Sequence, residues 1–144
     1  MSQKTIAVGA DHGGYELKQE LAKQLHSMGF TVLDFGTNSA DAVDYPDFAE
    51  LVVNALVNGE AKQGVLVCGS GIGMSIAANR HKGIRAALCT DDISAELARQ
   101  HNDANILVLG ERLTERSIAK QCVSKFFSTE FQGGRHQRRV KKLG

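Results

Sequence analysis

What this chain lacks narrows its class first. No apolar stretch approaches the roughly 20 residues that a membrane-spanning helix requires. The opening residues, MSQKTIAVGADHGG, carry neither a long apolar core nor a cleavage signature. A soluble, cytoplasmic protein with no membrane partner is expected. Cysteine is sparse: Cys68, Cys89 and Cys122 are odd in number, at spacings that fit neither a CxxC pair nor a zinc site. That argues against a disulfide framework and for a reducing compartment. None of the histidines forms an HxxxH pair, so no metal site is expected. Neither sign of charge dominates; the net charge of +1 excludes a chain that binds polyanions over its whole surface. With 42% hydrophobic and 23% charged residues the chain is neither disordered nor fibrous.

What is present is an alternation of short β-rich runs and helical patterns over 144 residues, a length that fits one domain spanning 1–144. Thr5–Ala10, Thr31–Asp34, Val65–Cys68, Ile84–Cys89 and Ile106–Leu109 read as strands. Leu17, Leu21, Leu25 and Met28 recur at helical spacing before Gly29. The single proline, Pro46, suits a first helical turn ahead of a helix over Phe48–Val57. Further helices are predicted over Met74–Arg80, from an N-cap at Asp92 to about His101, and over Glu115–Ser128. Gly133-Gly134 then breaks to a basic tail, so the rest of the chain is net acidic. The alternation predicts an α/β fold with a mostly parallel five-stranded sheet and helices on both faces. Ligands of such sheets sit beyond the carboxyl ends of the strands. Three segments are expected there: Asp11-His12-Gly13-Gly14, Cys68 with its loop, and His101-Asn102.

The stretch GVLVCGSGIGMSIAANR (64–80) carries the most chemistry. A thiol at a strand end adjoins a loop with Gly69, Gly71 and Gly73 that feeds a helix. Loop N–H groups and the helix dipole favour negative charge, a thiolate included. Cys68 is either a small buried thiol or a base beside the anion it creates. Ser70 is either a turn serine or a donor to an oxyanion. The G-x-G-x-G spacing departs from the G-x-G-x-x-G of dinucleotide sites, although Asp91 or Asp92 lies near where a ribose-binding acid belongs. His12 and His101 each read as a packed histidine or as a ligand contact. His26 and His81 read as surface residues, and Cys89 and Cys122 as structural. The tail, GGRHQRRVKK, reads as a solvated end, a nucleic-acid arm or a phosphate clamp that reaches a neighbour's site. It lacks the interleaved aromatics of a nucleic-acid surface.

Six segments together, GADHGG (9–14), DYPD (44–47), CGSGIGMSIAANR (68–80), GIRAALC (83–89), RQHNDANIL (99–107) and GGRHQRR (133–139), resemble the sugar-phosphate isomerase family that includes ribose-5-phosphate isomerase B and the galactose-6-phosphate isomerase subunits. The resemblance spans nearly the whole chain in order. It implies a three-layer α/β/α Rossmann-like sandwich, and a dimer or dimer of dimers with active sites between subunits. The implied reaction interconverts ribose 5-phosphate and ribulose 5-phosphate without metal or cofactor. By the same resemblance Cys68 moves a proton between C2 and C1, and His101 with Asp11 opens the sugar ring. The segment Gly69, Ser70, Gly71, Ile72 and Gly73 cradles the enediolate, Asn102 touches the sugar, and Tyr45 lines its site. His12, Arg112, Arg135 and Arg139 surround the phosphate, the tail 133–144 completing a neighbouring subunit's site. Many relatives have Thr where this chain has Ser70, which keeps the hydroxyl. One branch places a Glu base where this chain has Met74, so the Cys68 branch is the better fit.

The chemistry agrees with these residues. Removing a proton α to a carbonyl needs a base with a pKa near working pH and fixed donors for the developing charge. A closed sugar ring needs a second acid–base group, for which histidine is suited. The phosphate needs cations and holds the reacting carbons in register. A six-carbon sugar phosphate such as allose or galactose 6-phosphate is an alternative substrate. A non-catalytic nucleotide-binding module with a basic arm is an alternative of another class.

Overall fold

The apolar runs pair into a single five-stranded sheet in a computed structural model that describes residues 4–144. The strands are β1 (Thr5–Ala10), β2 (Thr31–Asp34), β3 (Gln63–Cys68), β4 (Ala86–Leu88) and β5 (Ile106–Gly110). Between and after them run α1 (Tyr15–Ser27), α2 (Tyr45–Val57), α3 (Ile72–Asn79), α4 (Asp92–Asn102), α5 (Arg116–Ser128) and α6 (Arg135–Leu143). The sheet order is β2-β1-β3-β5-β4 and every pairing is parallel, with Val8 beside Val65 and Cys68 beside Gly110. The expected sheet is thus wholly parallel. The central strands are buried on both faces, so they read as continuous aliphatic runs.

Right-handed crossovers decide which face each helix covers. Connections that step one way along the sheet place α1 and α4 on one side; those that step the other way place α2 and α3 opposite. Leu17, Leu21 and Leu25 of α1, Ala95 and Ala98 of α4 and Phe126 of α5 pack with Ile6, Val8, Val65, Val67 and Leu107. On the other face Val52 and Val53 of α2 and Met74 and Ala78 of α3 meet Ala7, Leu66, Cys68 and Val108. Burying each of these larger aliphatic or aromatic side chains contributes about 1.5–3 kcal/mol. From β1 the chain leaves toward β2, and from β3 it leaves toward the opposite edge and the opposite face. The loops after β1 and β3 therefore diverge and open a crevice between adjacent strands. Those loops carry Asp11-His12 and Cys68–Gly73.

Four local expectations are corrected. The N-cap of α4 is Asp91, not Asp92: its carboxylate accepts from the Ser94 N–H at 2.7 Å in a capping box, a job that occupies the acid placed at a ribose position. β4 is shorter than 84–89 because Ile84 is held in a turn by the His81 carbonyl. The basic tail is a helix, α6, anchored on α4 through buried His136 and Val140. His81 is half-buried and bonds Glu50 at 3.0 Å, whereas His26 is exposed. No helix among the described residues is long and apolar enough to cross a membrane.

Candidate active site

The crevice holds a cavity of about 300 Å³ lined by Asp11, Tyr45, Cys68, Gly69, Ser70, Gly73, Arg112 and Leu113. Seven of these were singled out in the sequence; Leu113 was not, and its only signal is its place after Arg112. Cys68 ends β3, is 5% exposed, and its Sγ accepts the Gly71 N–H at 3.2 Å. Gly71 caps α3 with φ of +81°, a conformation that costs an L side chain dearly and that turns its N–H back onto the thiol. The Ser70 hydroxyl oxygen accepts from the Ile72 N–H at 3.1 Å, which leaves its own O–H to donate. Early N–H groups of a helix have no partner in the preceding turn, so that of Gly73 remains as a donor at the cavity. Met74 is fully buried in the core and Ile72 points its side chain to solvent. The Arg112 guanidinium lies against Gly69, held there as its backbone N–H donates to the Gly69 carbonyl at 2.9 Å.

Asp11 is buried, and its Oδ1 accepts from the N–H groups of Gly13 and Gly14 at 2.9 and 3.2 Å. The turn after β1 is thereby wound around the carboxylate. The segment below it is fixed by an ion pair between buried Lys18 and solvent-facing Asp34: Lys18 Nζ meets both Asp34 oxygens at 2.7 Å, and Asp34 Oδ1 accepts the Gly36 N–H at 2.9 Å. Gly36 and Thr37 in turn bracket Ala10 by backbone hydrogen bonds of 2.7 Å. His12 Nδ1 accepts the Val43 N–H at 3.1 Å. That contact puts the proton of the neutral ring on Nε2, facing outward as a donor.

His101 and Asn102 do not join this cavity within one chain. They end α4, three to four residues before Asn105 leads into β5, and β5 starts beside the start of β3. Cys68 lies at the far end of β3, so about 15 Å of strand separates the two groups. The expectation that His101-Asn102 shares the carboxyl edge with Cys68 is overturned: a helix that precedes a parallel strand must end at the amino edge. Arg135 and Arg139 lie with them, on α6. His101 stacks on His136 with ring centroids 4.3 Å apart and planes 14° from parallel. His136 was visible in GGRHQRR but was not singled out. Its Nε2 has no partner, and burial, then Arg135, His101 and Arg139, holds its pKa below the ordinary histidine value. The residues that the resemblance groups together thus fall in two clusters at opposite edges of the sheet.

Other groups fall outside both. A wider cleft of about 1040 Å³ at the amino edge is lined by Lys62, Gln63, Arg85, Arg99, Asp103 and Asn105, among others, and holds no cysteine or histidine. Cys89 and Cys122 are buried, and burial raises them to about 11 and about 12. Among the described residues no three His, Cys, Asp or Glu stand close enough to hold a metal ion.

Comparison with known proteins agrees with this fold. A model described as Ribose/Galactose Isomerase matches residues 6–143. Ribose-5-phosphate isomerase B of Escherichia coli K12 is 45% identical over 140 residues, covering 97% of this chain and 94% of that one. A structure of Clostridium thermocellum ribose-5-phosphate isomerase B superposes with a TM-score of 0.96 at 51% identity, covering 97% of this chain and 95% of that one. The corresponding Thermotoga maritima structure has a TM-score of 0.94, also at 51% identity, with 96% of each chain covered.

Proposed function

This chain belongs to the ribose/galactose isomerase family, and from that premise we propose that it interconverts D-ribose 5-phosphate and D-ribulose 5-phosphate in the cytoplasm, as an assembly whose active sites are shared between copies. The observation that carries the reading is Cys68: a thiol that accepts the Gly71 N–H in the crevice where β1 and β3 diverge. Thiolate at that position takes the C2 proton of the open aldose and returns it to C1. A second proton passes from O2 to O1, and the aldehyde becomes a ketone with no change in composition. The enediolate between them is met by the remaining N–H groups of the Gly69–Gly73 loop and the Ser70 hydroxyl. These donors are fixed before the charge appears, so none must reorganise. Tyr45 bounds the sugar.

The sharing of sites follows from the two clusters. A histidine suits ring opening beside Asp11, and none lines the cavity of a single chain. His101 of a second copy supplies it, with that copy's Asn102 against the sugar. Arg135 and Arg139 of the second copy join Arg112 and His12 around the phosphate, where guanidinium groups bind its oxygens bidentately. An apolar surface suited to that assembly flanks the cavity. Ile72 and Ile76 of α3 are 51% and 61% exposed, and Leu113 at the cavity rim is 68% exposed. Such large side chains on one side of a site mark contact with a partner.

The test measures ribose 5-phosphate isomerisation in excess EDTA for wild type and Cys68→Ala side by side. Turnover lost only in the variant supports both the reaction and its base; a positioned base contributes about 10²–10⁴-fold. Equal turnover in both removes Cys68 from the chemistry. Turnover in neither, with activity on allose or galactose 6-phosphate, replaces the five-carbon substrate.

A further inference from the structure

Asp103 stands where stability alone would not place it. It caps the C-terminus of α4 with φ of +48° and ψ of +42°, and is the one non-glycine residue with positive φ among the described residues. Glycine or asparagine takes that conformation with less strain. A carboxylate there also faces the negative end of the helix dipole. Two arginines hold it nonetheless. Arg99 Nη1 donates to Asp103 Oδ1 at 2.8 Å, and Arg85 Nη2 lies 3.5 Å from Oδ2. Arg85 Nε donates to the Asp103 carbonyl at 2.9 Å.

Each arginine is itself anchored. Arg99, 11% exposed, donates from Nη1 to the Ala104 carbonyl at 2.7 Å and from Nε to the Thr129 carbonyl at 3.1 Å. The Arg85 N–H donates to Asn105 Oδ1 at 2.8 Å. The clamp therefore ties the end of α4 to the start of β4, to the entry of β5 and to the segment after α5. The Gln132 N–H to the Gln100 carbonyl, 3.1 Å, adds a further tie to that segment. The two residues immediately before the clamp are His101 and Asn102.

We infer that Asp103, gripped by Arg99 and Arg85, is a positioning residue for ring opening: it fixes the last turn of α4 so that His101 and Asn102 meet the sugar in a second copy's cavity. The inference rests on the shared-site reading above. Strain kept at a site and over-determined by its surroundings is a mark of positioning rather than of folding. Proton transfer at C1 and C2 belongs to Cys68 and lies outside the clamp's reach.

Two rates separate these roles. Turnover of ribose 5-phosphate, mostly a closed ring, needs ring opening. Exchange of the C1 proton of ribulose 5-phosphate with D2O, followed by NMR, needs only the thiolate, because that ketose is open. Asp103→Gly keeps the left-handed turn and deletes the grip. Its ribose 5-phosphate kcat is expected to fall about 10- to 100-fold, the scale for reacting groups displaced by about 1 Å. C1 exchange should stay within about twofold by the same logic. Asp103→Asn, which keeps one acceptor and the turn, should recover part of the loss. Arg85→Gln should show the same split if Asp103→Gly does not fold. Equal losses in both rates, or none in either, overturn the inference. His101→Ala run in parallel calibrates it: if that variant turns over ribose 5-phosphate at the wild-type rate, the shared-site reading fails and takes the inference with it. A split in His101→Ala without one in the Asp103 and Arg85 variants refutes the positioning role alone.

Discussion

Gly73→Ala probes the cavity with one methyl group. Gly73 lies in the first turn of α3, and a Cβ built on it would stand 2.7 Å from Tyr45 Cε1 and Cζ and 3.1 Å from Cε2. Ordinary contact begins near 3.4 Å, so the ring must retreat by about 0.7 Å. Tyr45 is 39% exposed and can swing toward solvent, which relieves the clash without disturbing the core. The helix itself gains, since alanine in place of glycine in a helix is worth about 0.5–1 kcal/mol. Fold and site are thus pushed in opposite directions. Misplacement by about 1 Å at a site costs about 10²-fold in rate, so a ring shift of about 0.7 Å corresponds to about 1–3 kcal/mol. Taken from transition-state stabilisation, that is about a 5- to 150-fold fall in kcat/KM. The assay is a double-mutant cycle with Tyr45→Ala, reading kcat/KM and Tm for all four proteins. Gly73→Ala alone should lose activity with Tm unchanged or raised. In the Tyr45→Ala background the same methyl group should cost almost nothing, because the ring it displaces is gone. Wild-type activity in Gly73→Ala, or losses that simply add, would refute the placement of Tyr45 on the substrate side of the cavity.

Four further outcomes follow from the same geometry. The Cys89 and Cys122 thiols, at about 11 and about 12, stay protonated near neutral pH, so iodoacetamide at pH 8 should label Cys68 alone and abolish activity in step with that label. The same two thiols ionise near 9.0 once unfolded, so their contribution to stability is full below about 9 and lost as pH climbs toward 11 and 12; Cys89→Ala should flatten that alkaline loss in urea melts, and unchanged slopes would argue against their burial. His136 is held below the ordinary 6.5, so the unfolded chain takes up a proton that the folded chain resists as pH falls through that value; stability should drop on acidification in wild type but less in His136→Gln. With Arg139 in its proposed place at the phosphate, Arg139→Ala is expected to remove a charge-assisted contact of about 1.5–3 kcal/mol, so KM for ribose 5-phosphate should rise about tenfold or more with little change in kcat; a fall confined to kcat would place Arg139 at the reacting carbons instead.

Much of the fold was legible because a parallel sheet writes itself as continuous apolar runs. VLVC and ILVL are unbroken, and their strands are buried on both faces. The cavity around Cys68 was legible for a related reason: strand, glycine loop and helix follow one another without interruption, so neighbours in sequence are neighbours in space. The α6 helix was hidden by its own composition. Five cations in RHQRRVKK mask the two residues, His136 and Val140, that bury against the fold, and a helix with so thin an apolar stripe reads as solvated tail. Strand order was hidden too, since nothing local says that β5 inserts between β3 and β4.

The misplacement of His101 is the instructive one, because the sequence held the means to avoid it. Residues 99–107 give a helix followed directly by a strand, and in a parallel sheet every helix runs back from the carboxyl edge to the amino edge. A polar run at the end of α4 therefore cannot stand beside the thiol that ends β3 in the same molecule. Chemistry nonetheless asks for an acid–base group near Asp11, and phosphate asks for the arginines that α6 keeps at the same far edge as His101. The proposed assembly reconciles the two demands by bringing a second copy's amino-edge cluster to the first copy's carboxyl-edge cavity. The stacked His101 and His136 rings, the clamp at Asp103 and the anchored α6 then have a common purpose. On that reading they hold in advance the groups that a second copy's cavity requires.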